Sequence, residues 1–410
     1  MKRFQSTALI LPVLLMATQA VQADARSQAK RIHDRLTGVP PTAAVLDQME
    51  TLLASDPSGK SAADKAMEDP NFYNVTLKNW ITPWTNEEQT VFAPLNDFTA
   101  TVIGLIRDDE DFRKVLFDDV IYTGAASGLP AYSNSNNAHY EALEQLGPQS
   151  GNLGDASVLV KQTQSGVTGL QSDATAGVLT TRAAARAFFY KGTNRAMFRF
   201  TMMNFLCTDL EPIKDNTRVP DRVRRDVARS PGGDSRIYLN ACVGCHAGMD
   251  GMGGAMAYYD LEHDGDKEDA TSNFENTARM TYTAGSVIPK YLQNENNFKP
   301  GFVPTDDSWI NYWRNGPNAL LGWNDWPGIQ KDEKGNTVGH GLKQLGMELA
   351  YSDAFAQCQV KKAFKAVCLR DPDDYAADRA AVDGIVADFT ANGYKMKGVF
   401  RDVAAYCKGN

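Results

Sequence analysis

Residues 242–246 read Cys242-Val243-Gly244-Cys245-His246, and this pentapeptide decides how the rest of the chain is read. Cys-x-x-Cys-His is the spacing of a c-type haem attachment signature. The reason is geometric. Two thiols three residues apart stand on one helical turn, within reach of the two vinyl groups on one porphyrin edge, and the histidine that follows projects toward the iron. Cys242 and Cys245 are therefore the expected haem-binding residues and His246 the expected iron ligand. A single covalent haem c is expected, because the motif occurs once in 410 residues. The other uses of a cysteine pair fit less well. A redox dithiol wants a βαβ context, which the flanking pattern lacks. A zinc site wants a second ligand pair of suitable spacing, and Cys358 and Cys368 are too far apart in sequence to form one.

The ligand on the other face of the iron decides the chemistry. Methionine raises the potential, a second histidine usually lowers it, and an open position permits reaction. Met249, Met252 and Met256 follow His246 too closely to cross the haem edge and are read as packing residues. Met280 is the first candidate for the distal ligand, with Met347 and His340 behind it. His139, followed by Tyr140, is the histidine to consider as a distal acid or base, although a surface or capping role accounts for it better. Trp309, Trp313, Trp323, Trp326, Tyr258 and Tyr259 serve equally well as a dry haem shell or as ordinary core. Asp264, Asp266, Glu268 and Asp269 lack the turn glycine of an EF-hand and read as a solvated acidic loop.

The first 23 residues read as a secretory signal. Lys2 and Arg3 precede an apolar stretch from Ala8 to Ala17, and Val21-Gln22-Ala23 supplies small residues for cleavage after Ala23. No later segment is long and apolar enough to span a bilayer. A periplasmic or secreted location is expected. In such a compartment the four cysteines outside the motif, Cys207, Cys358, Cys368 and Cys407, point to disulfides, with buried thiols as the alternative. Of the three pairings, Cys358–Cys368 is argued against: residues 353–369 look helical, and ten residues of helix span about 15 Å, whereas a disulfide needs Cα atoms within about 7 Å. The net charge of −8 argues against a nucleic-acid partner and is compatible with a basic redox partner protein.

Helical periodicity dominates the mature chain, and sustained alternation is scarce, so the expected fold is mainly α, a multi-helix protein with long irregular loops. Leu95, Phe98, Val102, Leu105, Ile106, Phe112 and Leu116 mark one apolar helix face, with Asn96 or Asp97 as its cap. A second helical region runs from about Thr181 to Leu206, with Gly192 as a divider. Three more helices are expected near 342–369, 377–391 and 396–407. The expected units are an N-terminal helical domain at 24–175, a haem c-binding domain at 176–340 and a C-terminal helical domain at 341–410.

The run from Cys242 to Asp260, Cys-Val-Gly-Cys-His-Ala-Gly-Met-Asp-Gly-Met-Gly-Gly-Ala-Met-Ala-Tyr-Tyr-Asp, resembles the C-x-x-C-H-x-x-Met/Ile-Asp-Pro-x-Gly-x-Ala signature of the planctomycete-type exported cytochrome c family, whose members carry tandem domains of unknown function. It departs at Gly251, where the family usually has proline. Asp118-Asp-Val-Ile-Tyr122, His139-Tyr140, Gly177-Val-Leu-Thr180, Asn204-Phe-Leu-Cys207, Phe355-Ala-Gln-Cys358 and Asn392-Gly-Tyr394 are similar to other parts of the same architecture. The resemblance covers residues 95–407 and is strong at 238–260. It implies a cytochrome c-like haem unit, supports Cys242, Cys245 and His246 as haem ligands, and implies that Asp250 orients the haem segment.

Electron transfer through the haem is the expected function. The alternative is a haem enzyme of peroxidase, oxygenase or isomerase type with an open or displaceable distal site, and a third reading makes the non-haem part a docking scaffold. A monohaem carrier needs only about 100 residues, so most of the chain must do something else. No Gly-x-Ser-x-Gly, His-Glu-x-x-His or phosphate loop occurs.

Overall fold

The computed structural model describes residues 24–191, 194–218, 221–223, 236, 238–292 and 302–409. The predicted signal segment and Gly192 lie outside them. Helix α1 (Ala25–Thr37) is capped by Asp24, which accepts the Ser27 N–H at 2.6 Å. Helix α2 (Ala43–Ser55) is capped by Thr42, and α3 (Lys60–Ala66) follows. The three pack together and bury Ile32, Leu36, Met49, Leu53 and Ala62.

Helix α4 (Asp97–Arg107) is buried at every position, and Asn96 is its cap, accepting the Thr99 N–H at 3.0 Å. The apolar pattern that begins at Leu95 continues to Leu116, but the helix does not. Asp109 adopts a left-handed φ of 54°, and Phe112–Leu116 forms a separate 3-10 turn. The buried face is continuous while the helix axis is broken. Strands β1 (Ile121–Gly124) and β2 (Leu159–Gln162) pair antiparallel around α5 (Ala138–Gln145).

The predicted helical region after Thr181 is two helices, α6 (Arg182–Phe188) and α7 (Arg195–Leu206). Asp97 serves α6 as well as its own helix: its carboxylate accepts the Phe98 N–H at 2.9 Å and, across to α6, the Arg182 N–H at 2.6 Å and the Ala183 N–H at 3.0 Å, two of the donors a helix start leaves unsatisfied. Burial pushes the Asp97 carboxyl up, and these backbone hydrogen bonds pull against it.

Helix α8 (Val243–Gly253) carries the Cys-x-x-Cys-His motif except for Cys242, which immediately precedes it. Strands β3 (Tyr259–Glu262) and β4 (Arg279–Tyr282) pair antiparallel, and β5 (Ser308–Asn311), β6 (Gln330–Lys331) and β7 (Thr337–His340) form a sheet ordered β5-β7-β6. The chain then ends in α9 (Gly341–Ala350), α10 (Asp353–Cys368), α11 (Ala376–Ala391) and α12 (Met396–Tyr406). The helix predicted over 342–369 is divided at Ser352, whose hydroxyl caps α10 by accepting the Phe355 N–H at 3.2 Å. The fold is mainly α, with three small antiparallel sheets among the described residues.

β7 passes directly into α9 at 340/341, and α12 packs back on α1, α3 and α10. One contiguous apolar core runs from Ala29 to Ala404.

Two disulfides tie this core. Cys207, at the end of α7, bonds Cys358 of α10 (Cα–Cα 5.2 Å), and Cys368 bonds Cys407 (5.6 Å). Because α10 is one continuous helix, Cys358 and Cys368 stand a helix length apart, as argued from sequence. The first bond closes a separation of 151 residues, which in the chain-entropy account is worth about 5 kcal/mol.

The short runs singled out in the sequence act as pins between elements. Gly177 donates its N–H to the Asp118 carbonyl at 2.8 Å; it has a φ of 53°, and a Cβ there would meet the Val115 carbonyl oxygen at 2.1 Å. The Tyr140 hydroxyl donates to the Tyr122 carbonyl at 2.8 Å. Gln359 and Lys362 donate to carbonyls of Phe205 and Asn204 beside the Cys207–Cys358 bond.

Hydrogen bonds from Lys114 and Lys161 hold the Glu110 carboxyl down at about 2, against an ordinary 4.5. A depressed folded-state value gives stability that is present above the unfolded value and lost as pH falls through the folded one. The melting temperature is therefore expected to drop between pH 4.5 and about 2, and Glu110→Gln to flatten that limb, as thermal unfolding at stepped pH will show.

Candidate functional site

Cys242 ends a wide helical turn begun at Tyr238 and stands immediately before α8, whose first turn carries Cys245 and His246. These three side chains are partly exposed, whereas Val243, Gly244, Ala247, Gly248 and Met249 between and after them are buried. Positions i, i+3 and i+4 share one helix face, so the two thiols and the imidazole stand together. Cys242 and Cys245 are unpaired, while the other four cysteines are spent in disulfides.

Four glycines within α8, at 244, 248, 251 and 253, make this a poor helix sequence, at about 1 kcal/mol each relative to alanine, and Gly254 follows directly. At Gly244, Gly248 and Gly254 the reason is close approach. A Cβ on Gly248 would strike the Trp313 indole at 2.0 Å, one on Gly254 the Ser308 carbonyl at 2.3 Å, and one on Gly244 the Asn216 side chain at 2.3 Å. Gly251, where the resembling family has proline, faces the Ile310 carbonyl. The backbone of β5 and the ring of Trp313 thus lie directly on the buried flank of α8, and packing compensates the weak propensity.

His246 is held from behind. Its Nδ1 is 3.2 Å from Oδ2 of Asp250, four residues on. Asp250 has no exposed side-chain surface and receives a two-pronged contact from Arg195, Nε to Oδ1 at 2.8 Å and Nη2 to Oδ2 at 2.7 Å. Burial opposes ionisation of Asp250, but the charges and hydrogen bonds of Arg195 and His246 overcome it and hold the carboxyl well below the usual range. With Nδ1 engaged, Nε2 is the nitrogen that a metal would take. Arg195, the first residue of α7, had no signal in the sequence, because it lies 55 residues from Asp250.

Burial, with the negative charge of Glu211 adding to it, pushes the Cys245 thiol above its ordinary value. That is the reverse of an activated redox dithiol. No group of three or more His, Cys, Asp or Glu side chains is gathered to hold a metal ion among the described residues, so a zinc site has no ligand set there.

The other candidates fall as follows. Met249, Met252 and Met256 are buried core residues. Met280 is buried on β4 opposite Leu261, and β4 packs on β3 and α6, while α8 packs on α7 and β5. Met347 is half-buried on α9. His340 is exposed, with Nδ1 3.0 Å from Asp307. His139 is neither a surface nor a capping residue: it is buried, its Nε2 accepts the Gly124 N–H at 2.8 Å, and its Nδ1 lies 2.7 Å from the Pro130 carbonyl. Both ring nitrogens are occupied by backbone, and its role is to pin β1 to α5. Three of the four clustered tryptophans likewise have protein acceptors: Trp309 on Gly341, Trp323 on Asn318 and Trp326 on Glu348. Trp313 packs its indole on α8 at Gly248. In the acidic loop, Asp266 accepts from the Tyr190 hydroxyl at 2.6 Å, a tie to the chain just past the end of α6, and Asp269 accepts from the Thr271 hydroxyl at 2.7 Å, a local contact.

No family model, curated protein or solved structure matches the chain.

Proposed function

We propose that this chain is a c-type haem protein, with one haem bonded through Cys242 and Cys245 and with His246 on the iron. Within that class we read it as an exported monohaem electron-transfer cytochrome, of the kind that the resemblance around residues 238–260 implies. The observation that carries the reading is the partition of the cysteines. Four of six are committed to two disulfides, and the two left over stand on one partly exposed helix edge beside a histidine. That donor set fits a covalently held haem and fits neither a dithiol catalyst nor a zinc site. The haem supplies one-electron exchange at its iron when bound.

The chain's own residues do the rest. Asp250 fixes the ring of His246 and its proton on Nδ1. Trp313 and the β5 backbone hold the helix that presents all three ligands. The Cys207–Cys358 bond anchors the far end of α7, whose first residue grips Asp250. Two disulfides support an oxidising compartment, hence export to the periplasm or medium. Among the described residues no helix is long and apolar enough to cross a membrane. The acidic balance of the chain suits a redox partner with a basic docking face.

The test is the optical spectrum of protein exported from cells with a working c-type maturation system. Reduction should sharpen the visible bands, and carbon monoxide should leave them unmoved, because an electron carrier fills both axial positions. Rapid carbon monoxide binding by the native protein would contradict electron transfer and favour a haem enzyme. Substituting Met280, Met347 and His340 by alanine in turn then identifies the distal ligand as the one whose loss opens the iron to carbon monoxide.

A further inference from the structure

The haem signature requires two cysteines and a histidine; it does not require a buried ion pair behind the histidine. Yet Asp250 is wholly buried, and Arg195 closes on both of its oxygens. Neither residue is explained by its own helix. Asp250 lies past the first turn of α8, where the helix dipole gives a carboxylate nothing, and Arg195 opens α7, where the dipole disfavours a cation. A buried ion pair is also a weak source of stability, since desolvation consumes most of the attraction.

We infer that the Asp250–Arg195 pair sets the electron donation of His246 to the iron, and with it the reduction potential, Asp250 acting through Nδ1 as a positioning residue and Arg195 limiting its pull. The inference rests on the haem reading above. A histidine whose Nδ1–H donates to a carboxylate is a stronger donor at Nε2 than one bonded to a neutral carbonyl. Stronger donation stabilises the oxidised iron and lowers the potential. Arg195 shares the same Oδ2 that His246 contacts. It draws off part of the carboxylate's charge and moderates the effect. Removing the two partners must therefore shift the potential in opposite directions. A pair that merely bolted α7 to α8 would instead cost stability in both variants and leave the potential in place.

The experiment is a spectroelectrochemical titration of the full-length haem-loaded protein and of its Asp250→Asn and Arg195→Gln variants at one pH and ionic strength. Bound haem is quantified in denaturant. An asparagine oxygen still accepts from Nδ1 and keeps the ring in place, so Asp250→Asn removes charge rather than geometry. Asp250→Asn is expected to favour the reduced state about tenfold, and Arg195→Gln the oxidised state by a similar factor, each about 59 mV for a one-electron couple. Shifts of the same sign, shifts below about threefold in both, or loss of attached haem from both variants would overturn the inference and leave the haem reading standing. A wild-type chain without haem would overturn the haem reading, and this inference with it.

Discussion

A chain carrying both Cys242→Ala and Cys245→Ala is expected to fold and to lose all covalent haem. Folding should survive because neither thiol belongs to a disulfide and both are partly exposed. The Cys245 sulfur makes a weak contact with the Leu210 carbonyl at 3.6 Å. His246 and its Asp250 support remain, so haem can still enter the site and colour the native protein. In denaturant it should extract completely, whereas each single variant, keeping one thioether, should retain part of it. The measurement is haem absorbance after extraction of the unfolded protein into organic solvent. Retention of haem by the double variant would place the attachment elsewhere.

The second large effect is expected at Glu348, on the inner face of α9. This carboxylate is fully buried and accepts from Asn311 at 2.7 Å, from Arg314 through Nε and Nη2 at 2.9 Å each, and from Trp326 at 2.8 Å. Glu348→Ala leaves the Arg314 guanidinium, itself only 6% exposed, without its main counter-charge and leaves two further donors without acceptors. Breaking a buried pair from one side costs about 3–5 kcal/mol, against a total stability of about 5–15. Urea unfolding should register a fall of that size in the unfolding free energy, seen as a lower midpoint. A loss below about 1 kcal/mol would mean that Arg314 escapes to solvent, as exposed pairs do. The effect should reach the site, because the Asn311 side chain that Glu348 holds also accepts the Trp313 backbone N–H at 2.9 Å, and Trp313 packs on α8.

What could be read from sequence, and what could not, follows from the range of each interaction. The Cys-x-x-Cys-His motif is local, and the covalent attachment proposed for it demands a fixed spacing, so five residues suffice to raise the reading. The exclusion of Cys358–Cys368 needed only helix geometry. The choice between the two remaining pairings depended on where α7 and α12 end against α10, which no local pattern encodes. Apolar periodicity placed α4 and the C-terminal helices but ran through their breaks. At Asp109 and at Ser352 the core-facing surface continues after the helix has stopped. Helices α1 to α3 were read only as a helical domain and not placed individually. Arg195 could not have been found, because it reaches Asp250 from another helix. His139 was misjudged because burial beside two backbone groups leaves no trace in composition. The tryptophans were ambiguous for the same reason: three of them satisfy their indoles within the protein.

The account stands or falls on a thioether-bound porphyrin. The most direct measurement is the intact mass of the exported, mature polypeptide, unfolded and freed of loosely bound ligands. The expected value exceeds that of the chain from Asp24 onward, with its two disulfides formed, by one haem. A mass equal to the bare polypeptide, from cells that mature other c-type cytochromes, would contradict it.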